Sequence, residues 1–151
     1  MKISIAAIGI LKEKSLERLF TKYISSLPWK VSLHEKKPFI NKNKSIRISQ
    51  EEIFLFEKLK NCEALIVLDE DGEQFTSKEF SEKICNWEKD IENIGFAIGG
   101  PDGVSKALKE KATVLLSFGD MTWPHLLARI MLAEQLYRSS AIITNHPYHR
   151  G

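Results

Sequence analysis

Cysteine is scarce. Only Cys62 and Cys85 occur in 151 residues, so neither a disulfide framework nor a paired-thiolate metal site is available. Long apolar runs are absent too; none approaches the roughly 18 residues that span a bilayer. The Gly-x-Gly-x-x-Gly fingerprint of dinucleotide-binding folds is missing, as is the Gly-Lys-Ser/Thr end of a phosphate-binding loop. Charge of one sign is also lacking. Twenty-two Lys and Arg against 20 Asp and Glu leave a net charge of +2, which gives no whole-chain sign of nucleic-acid binding. Any attraction for an anion must therefore be local. No linker, repeat or low-complexity tract interrupts the chain.

What is present suits one soluble globular domain: 43% of residues are hydrophobic and 28% charged, too apolar for a disordered chain. The length allows a real core, but it is short for a cofactor, a polymeric substrate and a catalytic apparatus together. The opening segment from Met1 to Gly9 is an apolar run of strand length. Lys12 and Glu13 follow at once and no cleavage site is visible, so it reads as a buried first strand and not a signal peptide. With two isolated cysteines, a cytoplasmic protein with reduced thiols is expected.

Strand and helix patterns then alternate. Leu16, Leu19, Phe20, Tyr23, Ile24 and Leu27 recur at helical spacing up to Pro28. Residues 30–34 look like a short strand. Ser49 with Glu52 has the form of a capping box for a helix to about Asn61. Residues 64–68 form a continuous apolar run, as in a parallel strand buried on both faces. Thr76 with Glu79 forms a second capping box, ahead of a stripe of Phe80, Ile84, Trp87 and Ile91. Strands are expected at 96–98 and 114–116, with a helix near 103–111 between them. A last helix starts near Pro124 and runs to about Ser139, and residues 141–144 read as extended. This alternation predicts an α/β fold with a mostly parallel sheet flanked by helices.

In open parallel sheets, ligands bind beyond the carboxyl ends of the strands. Three segments lie there. The acidic run Asp69 to Glu73 reads as a solvated loop, or as a face for a cation or a ribose. The run Gly99-Gly100-Pro101-Asp102-Gly103 can bring backbone amides close to a ligand, or make a tight turn with none. The third is Ser117-Phe118-Gly119-Asp120-Met121-Thr122-Trp123-Pro124-His125. They suggest a small ligand held by backbone groups without a phosphate cradle.

The charges are unevenly spread. Residues 36–50 hold Lys36, Lys37, Lys42, Lys44 and Arg47 and no acid, a local positive patch or else a solvated loop. No Lys follows Lys111, yet three of the five Arg do, and three of the four His lie within 125–149. On the last helix Leu127, Ile130, Met131 and Glu134 share one stripe, with His125, Arg129 and Leu136 opposite. Glu134 and Arg138 stand at ion-pair spacing, on the surface or against a partner subunit. In the tail Asn145-His146-Pro147-Tyr148-His149-Arg150, Arg can grip phosphate, and His and Tyr can stack on bases or move protons. His146 and His149 have no third ligand near them in sequence, so no metal is expected.

The Gly99–Gly103 run, the 116–125 segment, the helix from Arg129 through Glu134-Gln135-Leu136-Tyr137-Arg138, and the Asn145–Arg150 ending stand in order. Together with Met1 to Gly9 and Leu68-Asp69-x-x-Gly72 they closely resemble the RlmH-type ribosomal RNA methyltransferases of the SPOUT superfamily. The likeness covers essentially the whole chain and is strongest over 96–151. It implies a single 1–151 SPOUT domain with a deep trefoil knot within about 95–151, which connection rules alone would argue against. It also implies a homodimer that binds S-adenosylmethionine. Leu68, Gly99, Gly100, Phe118, Gly119, Asp120, Met121, Thr122 and Trp123 would line that site. The implied reaction is methylation of N3 of a pseudouridine in 23S rRNA, on the 50S subunit or 70S ribosome. For that reaction His146, Tyr148, His149 and Arg150 are the expected catalytic, substrate-side group, and the basic stretch 36–47 is the candidate RNA-backbone contact, or else a solvated loop. Asp69-Glu70-Asp71 is more acidic than that family suggests, and Trp123 replaces a smaller apolar residue or Phe. Outside the resemblance, a non-catalytic RNA- or nucleotide-binding module, or a small flavin-binding protein, would suit the same sheet.

Overall fold

Side-chain parity along the central strands builds the core. In β1 (Lys2–Ile8), Ile3, Ile5 and Ala7 face one side of the sheet and Ala6 and Ile8 the other. In β4 (Asn93–Ile98), Ile94, Phe96 and Ile98 oppose Ala97 in the same way. Alternate residues of a strand point to opposite faces, so strands apolar at every position need cover on both. The computed structural model, which describes residues 1–149, supplies that cover. On one side lie α1 (Lys14–Ile24), α3 (Ser77–Asp90) and α5 (His125–Ile143), which bring Phe20, Phe80, Ile84, Leu132 and Leu136 to the first face. On the other lie α2 (Lys44–Leu59) and α4 (Lys106–Lys111), with Leu55, Leu59 and Leu108.

With β2 (Lys30–Lys36), β3 (Ala64–Gln74) and β5 (Val114–Ser117), the strands form one sheet in the order β2-β1-β4-β3-β5. Every pairing is parallel, with Ile3 opposite Val31 and Ile94, and Ile66 opposite Phe96 and Val114. The predicted α/β architecture is therefore present. So are the helix over the Leu16–Ile24 pattern and the Thr76–Glu79 capping box, in which each side chain bonds the other residue's backbone.

Three local expectations are corrected. First, α2 does not start at Ser49. It starts at Lys44, because the Asn43 side chain caps it by accepting from the Ser45 and Ile46 amides at 2.9 and 3.4 Å. Second, the acidic run 69–73 is not a loop. β3 continues through it to Gln74, with its pairing to β5 broken between Leu68 and Glu73. Asp69 turns inward to Lys109 while Glu70 and Asp71 are exposed, and the strand rejoins its neighbour at Glu73 after Gly72, where a Cβ would stand 2.7 Å from the Leu115 backbone. Third, residues 141–143 are helical. The β-branched residues ride on a helix already packed over several turns, and it ends only where Asn145 turns left-handed at φ 53°. His146 N–H then bonds the Ala141 carbonyl at 2.8 Å and Asn145 N–H the Ile142 carbonyl at 3.2 Å, the two bonds of a Schellman cap. No helix among the described residues is long and apolar enough to cross a membrane.

Candidate functional site

Because β4, β3 and β5 are neighbours and parallel, the segments after them meet at one edge of the sheet. There they enclose a groove of about 620 Å3. Leu68, Asp69 and Glu70 form one wall, Gly99–Val104 a second, and Leu116–Gly119 with Met121–His125 a third. Of the residues expected to line a cofactor site, Leu68, Gly99, Gly100, Phe118, Gly119, Met121, Thr122 and Trp123 do line this groove. Asp120 does not; its carboxylate instead accepts from Gln74 Nε2 at 2.6 Å.

The glycine loop is a close fold. A Cβ on Gly99 would stand 2.7 Å from the Gly103 carbonyl oxygen and from a Val104 methyl, so no side chain fits there. Gly103 N–H closes the turn on the Gly100 carbonyl at 3.0 Å. Ser117 Oγ accepts from the Gly119 amide at 3.2 Å and shapes the third wall. Thr122 Oγ1 donates to Glu70 Oε2 at 3.3 Å, tying the third wall to the first. Met121 is 71% exposed and Trp123 41%, so the rim carries two large apolar side chains able to cover a flat ligand.

Charge around the groove is paired unevenly. Lys109 Nζ stands 2.7 Å from Asp69, and Arg47 Nε 2.7 Å from Asp102. The hydrogen bond from Arg47 holds the Asp102 carboxyl below its ordinary range. Glu70 is exposed and is bonded to a hydroxyl, with no cation paired to it among the described residues. A groove with a spare carboxylate and apolar rim residues suits a ligand with a cationic group and a flat ring.

One turn along α5 from His125 stands a pair that sequence reasoning missed. Arg129 is fully buried. It forms an ion pair with Glu35 and donates to the Ile8 and Gly9 carbonyls at 3.3 and 3.1 Å, so it pins α5 to the end of β1. The heptad-like reading put Arg129 opposite the apolar stripe. In fact α5 is buried on several faces, with Leu132, Ala133, Leu136 and Ser139 also inside. His125, in the third wall, has its pKa lowered by burial and then by Arg129, which favours the neutral imidazole. The sequence signals for His125 and Arg129 were their places in the 116–125 segment and in the helix that follows; Glu35 carried none.

Among the described residues, none of the tail lines this groove. Tyr148 folds back onto α5. Its ring meets Tyr137 edge-on at 4.7 Å, Arg138 stacks on it at 5.0 Å, and its hydroxyl donates to Glu134 Oε1 at 3.1 Å. The Glu134–Arg138 pair expected from spacing is present, with Arg138 Nε donating at 3.0 Å. Arg138 Nη1 also lies 3.5 Å from His149 Nδ1, and His146 Nδ1 accepts from the Tyr148 amide at 3.2 Å. Burial and the bonds to Tyr23 and Glu134 hold the Tyr148 phenol well above its ordinary pKa, so it is a hydrogen-bond donor and not a base. Arg150 lies outside the described residues. Glu134 lines a second cleft of about 510 Å3 that shares only the Leu116–Gly119 wall with the groove. Lys36, Lys37, Lys42 and Lys44 are exposed, but Arg47 is engaged by Asp102. Among the described residues no three His, Cys, Asp or Glu side chains gather as a metal site.

Comparison with known proteins agrees with this geometry. The family model described as "Predicted SPOUT methyltransferase" matches residues 1–149. A protein of Paramagnetospirillum magneticum named Ribosomal RNA large subunit methyltransferase H is 38% identical over 154 residues, covering 99% of both chains. Its namesake in Bartonella tribocorum is 42% identical over 159 residues, again covering 99% of each. Among solved structures, a "probable methylase family protein" of Haemophilus influenzae superposes with a TM-score of 0.59 at 10% identity, over 99% of this chain and 70% of that one, and supports the fold alone. SPOUT methyltransferases use S-adenosylmethionine as methyl donor. A whole-length family match, two relatives well above 30% identity and a groove at the carboxyl edge of a parallel sheet make this chain a member of the SPOUT methyltransferase family.

Proposed function

We propose that this protein methylates N3 of a pseudouridine in 23S rRNA as a homodimer, using S-adenosylmethionine held in the groove at the ends of β3, β4 and β5. The observation that carries the reading is the groove itself: eight of the nine residues implied for the cofactor line one cavity. The residues fit that donor. Glycine backbone approaches closely, Leu68, Met121 and Trp123 offer apolar surface for a purine, and Glu70 is a carboxylate for the cationic part. The names of the relatives support the large ribosomal subunit as the source of the substrate. We infer from family membership, likewise, a knot over about 95–151 and a cytoplasmic location.

When bound, S-adenosylmethionine supplies a sulfonium methyl group already activated for transfer. The task of the chain is then to hold the base in line and to favour loss of its N3 proton. The tail is the candidate for that task. His146 and His149 can accept a proton, Tyr148 can donate a hydrogen bond, and Arg150 can stabilise the developing anion. Within one chain Tyr148 packs at Glu134, and the groove lies beyond the 116–119 wall. Two chains resolve this separation if the tail of one serves the groove of the other. That arrangement also answers the short length, since two chains present one joint surface to RNA. The exposed Lys36, Lys37, Lys42 and Lys44 would meet the RNA backbone.

The test is transfer of labelled methyl from S-adenosylmethionine to purified 70S ribosomes, 50S subunits and free rRNA. Label at a pseudouridine N3 is expected, with ribosomal particles favoured over free rRNA. Loss of residues 145–151 is expected to abolish transfer and leave the dimer intact. Cofactor binding without transfer to any of the three substrates would refute the reading, and full activity of the truncated chain would refute the role of the tail.

A further inference from the structure

Glu51 is a buried acid that none of the foregoing uses. It sits on the inner face of α2, where Leu55 and Leu59 continue the same face into the core, and it is only 4% exposed. Its Oε1 accepts from the Phe39 amide at 3.4 Å, and its Oε2 is buried without a partner. A leucine here would bury no polar atom, whereas an unpartnered carboxyl oxygen costs free energy. The site is also where the glycine loop comes nearest. A Cβ on Gly100 would stand 3.0 Å from Glu51 Oε2 and 3.3 Å from Oε1, so the carboxyl occupies the space a side chain at 100 would fill. Phe39 lies in the basic segment, and Gly100 in the groove wall. One turn earlier on α2, Arg47 grips Asp102 of the same loop at 2.7 Å, and Lys44 lines the groove itself.

We infer that Glu51 is a positioning residue that joins the basic segment 36–44 to the Gly99–Gly103 wall, so that the RNA side and the cofactor side of the site are set together. This deepens the function proposed above and rests on the groove being the cofactor site. Glu51 does not line the groove; it acts through the Phe39 and Gly100 backbones. Burial pushes its carboxyl upward, and Asp102 adds to that, while the Phe39 amide and Arg47 pull it down. The charged groups facing it are thus Arg47 on its own helix and Asp102 on the loop. The Ile8 side chain of β1 closes the apolar side.

Amide NMR of the full chain tests this in two steps. Without ligand, from about pH 4 to 8, the Phe39 and Gly100 amides should shift with one shared midpoint above the ordinary carboxylate value, and this shift should vanish in Glu51→Gln. Separate midpoints, or no shift at either amide, would overturn the proposal. With S-adenosylhomocysteine as probe, the Phe39 amide should respond in the native chain and in Glu51→Gln, which keeps the hydrogen-bonding shape. In Glu51→Leu that response should disappear while the dissociation constant rises about tenfold. A Phe39 response that survives in Glu51→Leu refutes the coupling. If the leucine variant does not fold, the first step decides alone. If the native chain binds no S-adenosylhomocysteine, the cofactor reading of the groove fails, and the amide titration still judges the contact made by Glu51.

Discussion

Replacing Arg129 by Met should destabilise the protein by about 3 kcal/mol. The guanidinium is fully buried, pairs with Glu35 and donates to the Ile8 and Gly9 carbonyls. Removing one partner of a buried pair typically costs about 3–5 kcal/mol, because the other charge is left uncompensated. Two features place this case at the low end. The Glu35 side chain keeps 22% of its exposure and can rehydrate, and Arg129 Nε has no partner, so the native arrangement is itself incomplete. For a chain of this size each kcal/mol moves the melting temperature by about 2–4 °C, so a fall of about 6–12 °C is expected. Thermal unfolding followed by circular dichroism measures it. The Glu35→Gln/Arg129→Met double variant should recover part of the loss, since Gln needs no countercharge and still accepts from the Leu11 amide, which bonds Glu35 at 3.0 Å. The His125 pKa, read by proton NMR in Arg129→Met, should rise only part of the way to its ordinary value, because burial is the larger cause of its depression. A single variant that melts within about 2 °C of the native chain, or a double variant as unstable as the sum of the singles, would refute the anchoring role.

Thr76→Ala removes the side-chain acceptor of the α3 capping box and should cost about 1 kcal/mol, measured as a lower urea midpoint. His125 titrates below its ordinary 6.5 in the folded chain, so the unfolded chain binds its proton first. Its contribution to stability is therefore complete above that value and is lost as pH falls below it; the pH slope of the urea midpoint over that window should flatten in His125→Asn. Charge reversal at Lys37 and Lys42, both exposed, should weaken ribosome binding and flatten its dependence on salt, seen by filter binding across a salt series.

Much of the fold was legible because it rests on local rules. The apolar runs at 2–8 and 64–68 can only be strands covered on both faces, and Thr76 with Glu79 states where α3 begins. Errors arose where two signals of equal strength competed. Asn43 and Ser49 are both good helix caps, and nothing local says that the chain turns helical five residues before Ser49. Residues Ala141 to Thr144 have strand-like composition, yet Ile142 and Ile143 add turns to a helix whose earlier residues are already packed. The candidate site was legible in its glycine loop and its 117–123 segment. Arg129 and Glu51 were not, since a charged residue in a helix is ordinarily a surface residue.

By itself, then, the sequence determined the alternation of strand and helix, the loops at the carboxyl edge and, through its motifs, the family. Only the tertiary structure decided which distant groups meet. The order β2-β1-β4-β3-β5 brings Glu70 to Thr122, Lys109 to Asp69, Arg47 to Asp102 and Glu35 to Arg129. It also leaves the Tyr148 tail on its own helix, away from the groove. The reason is physical. Burial periodicity and capping are written within one or two turns of chain, whereas a charge becomes a buried anchor only when elements far apart in sequence surround it and exclude water.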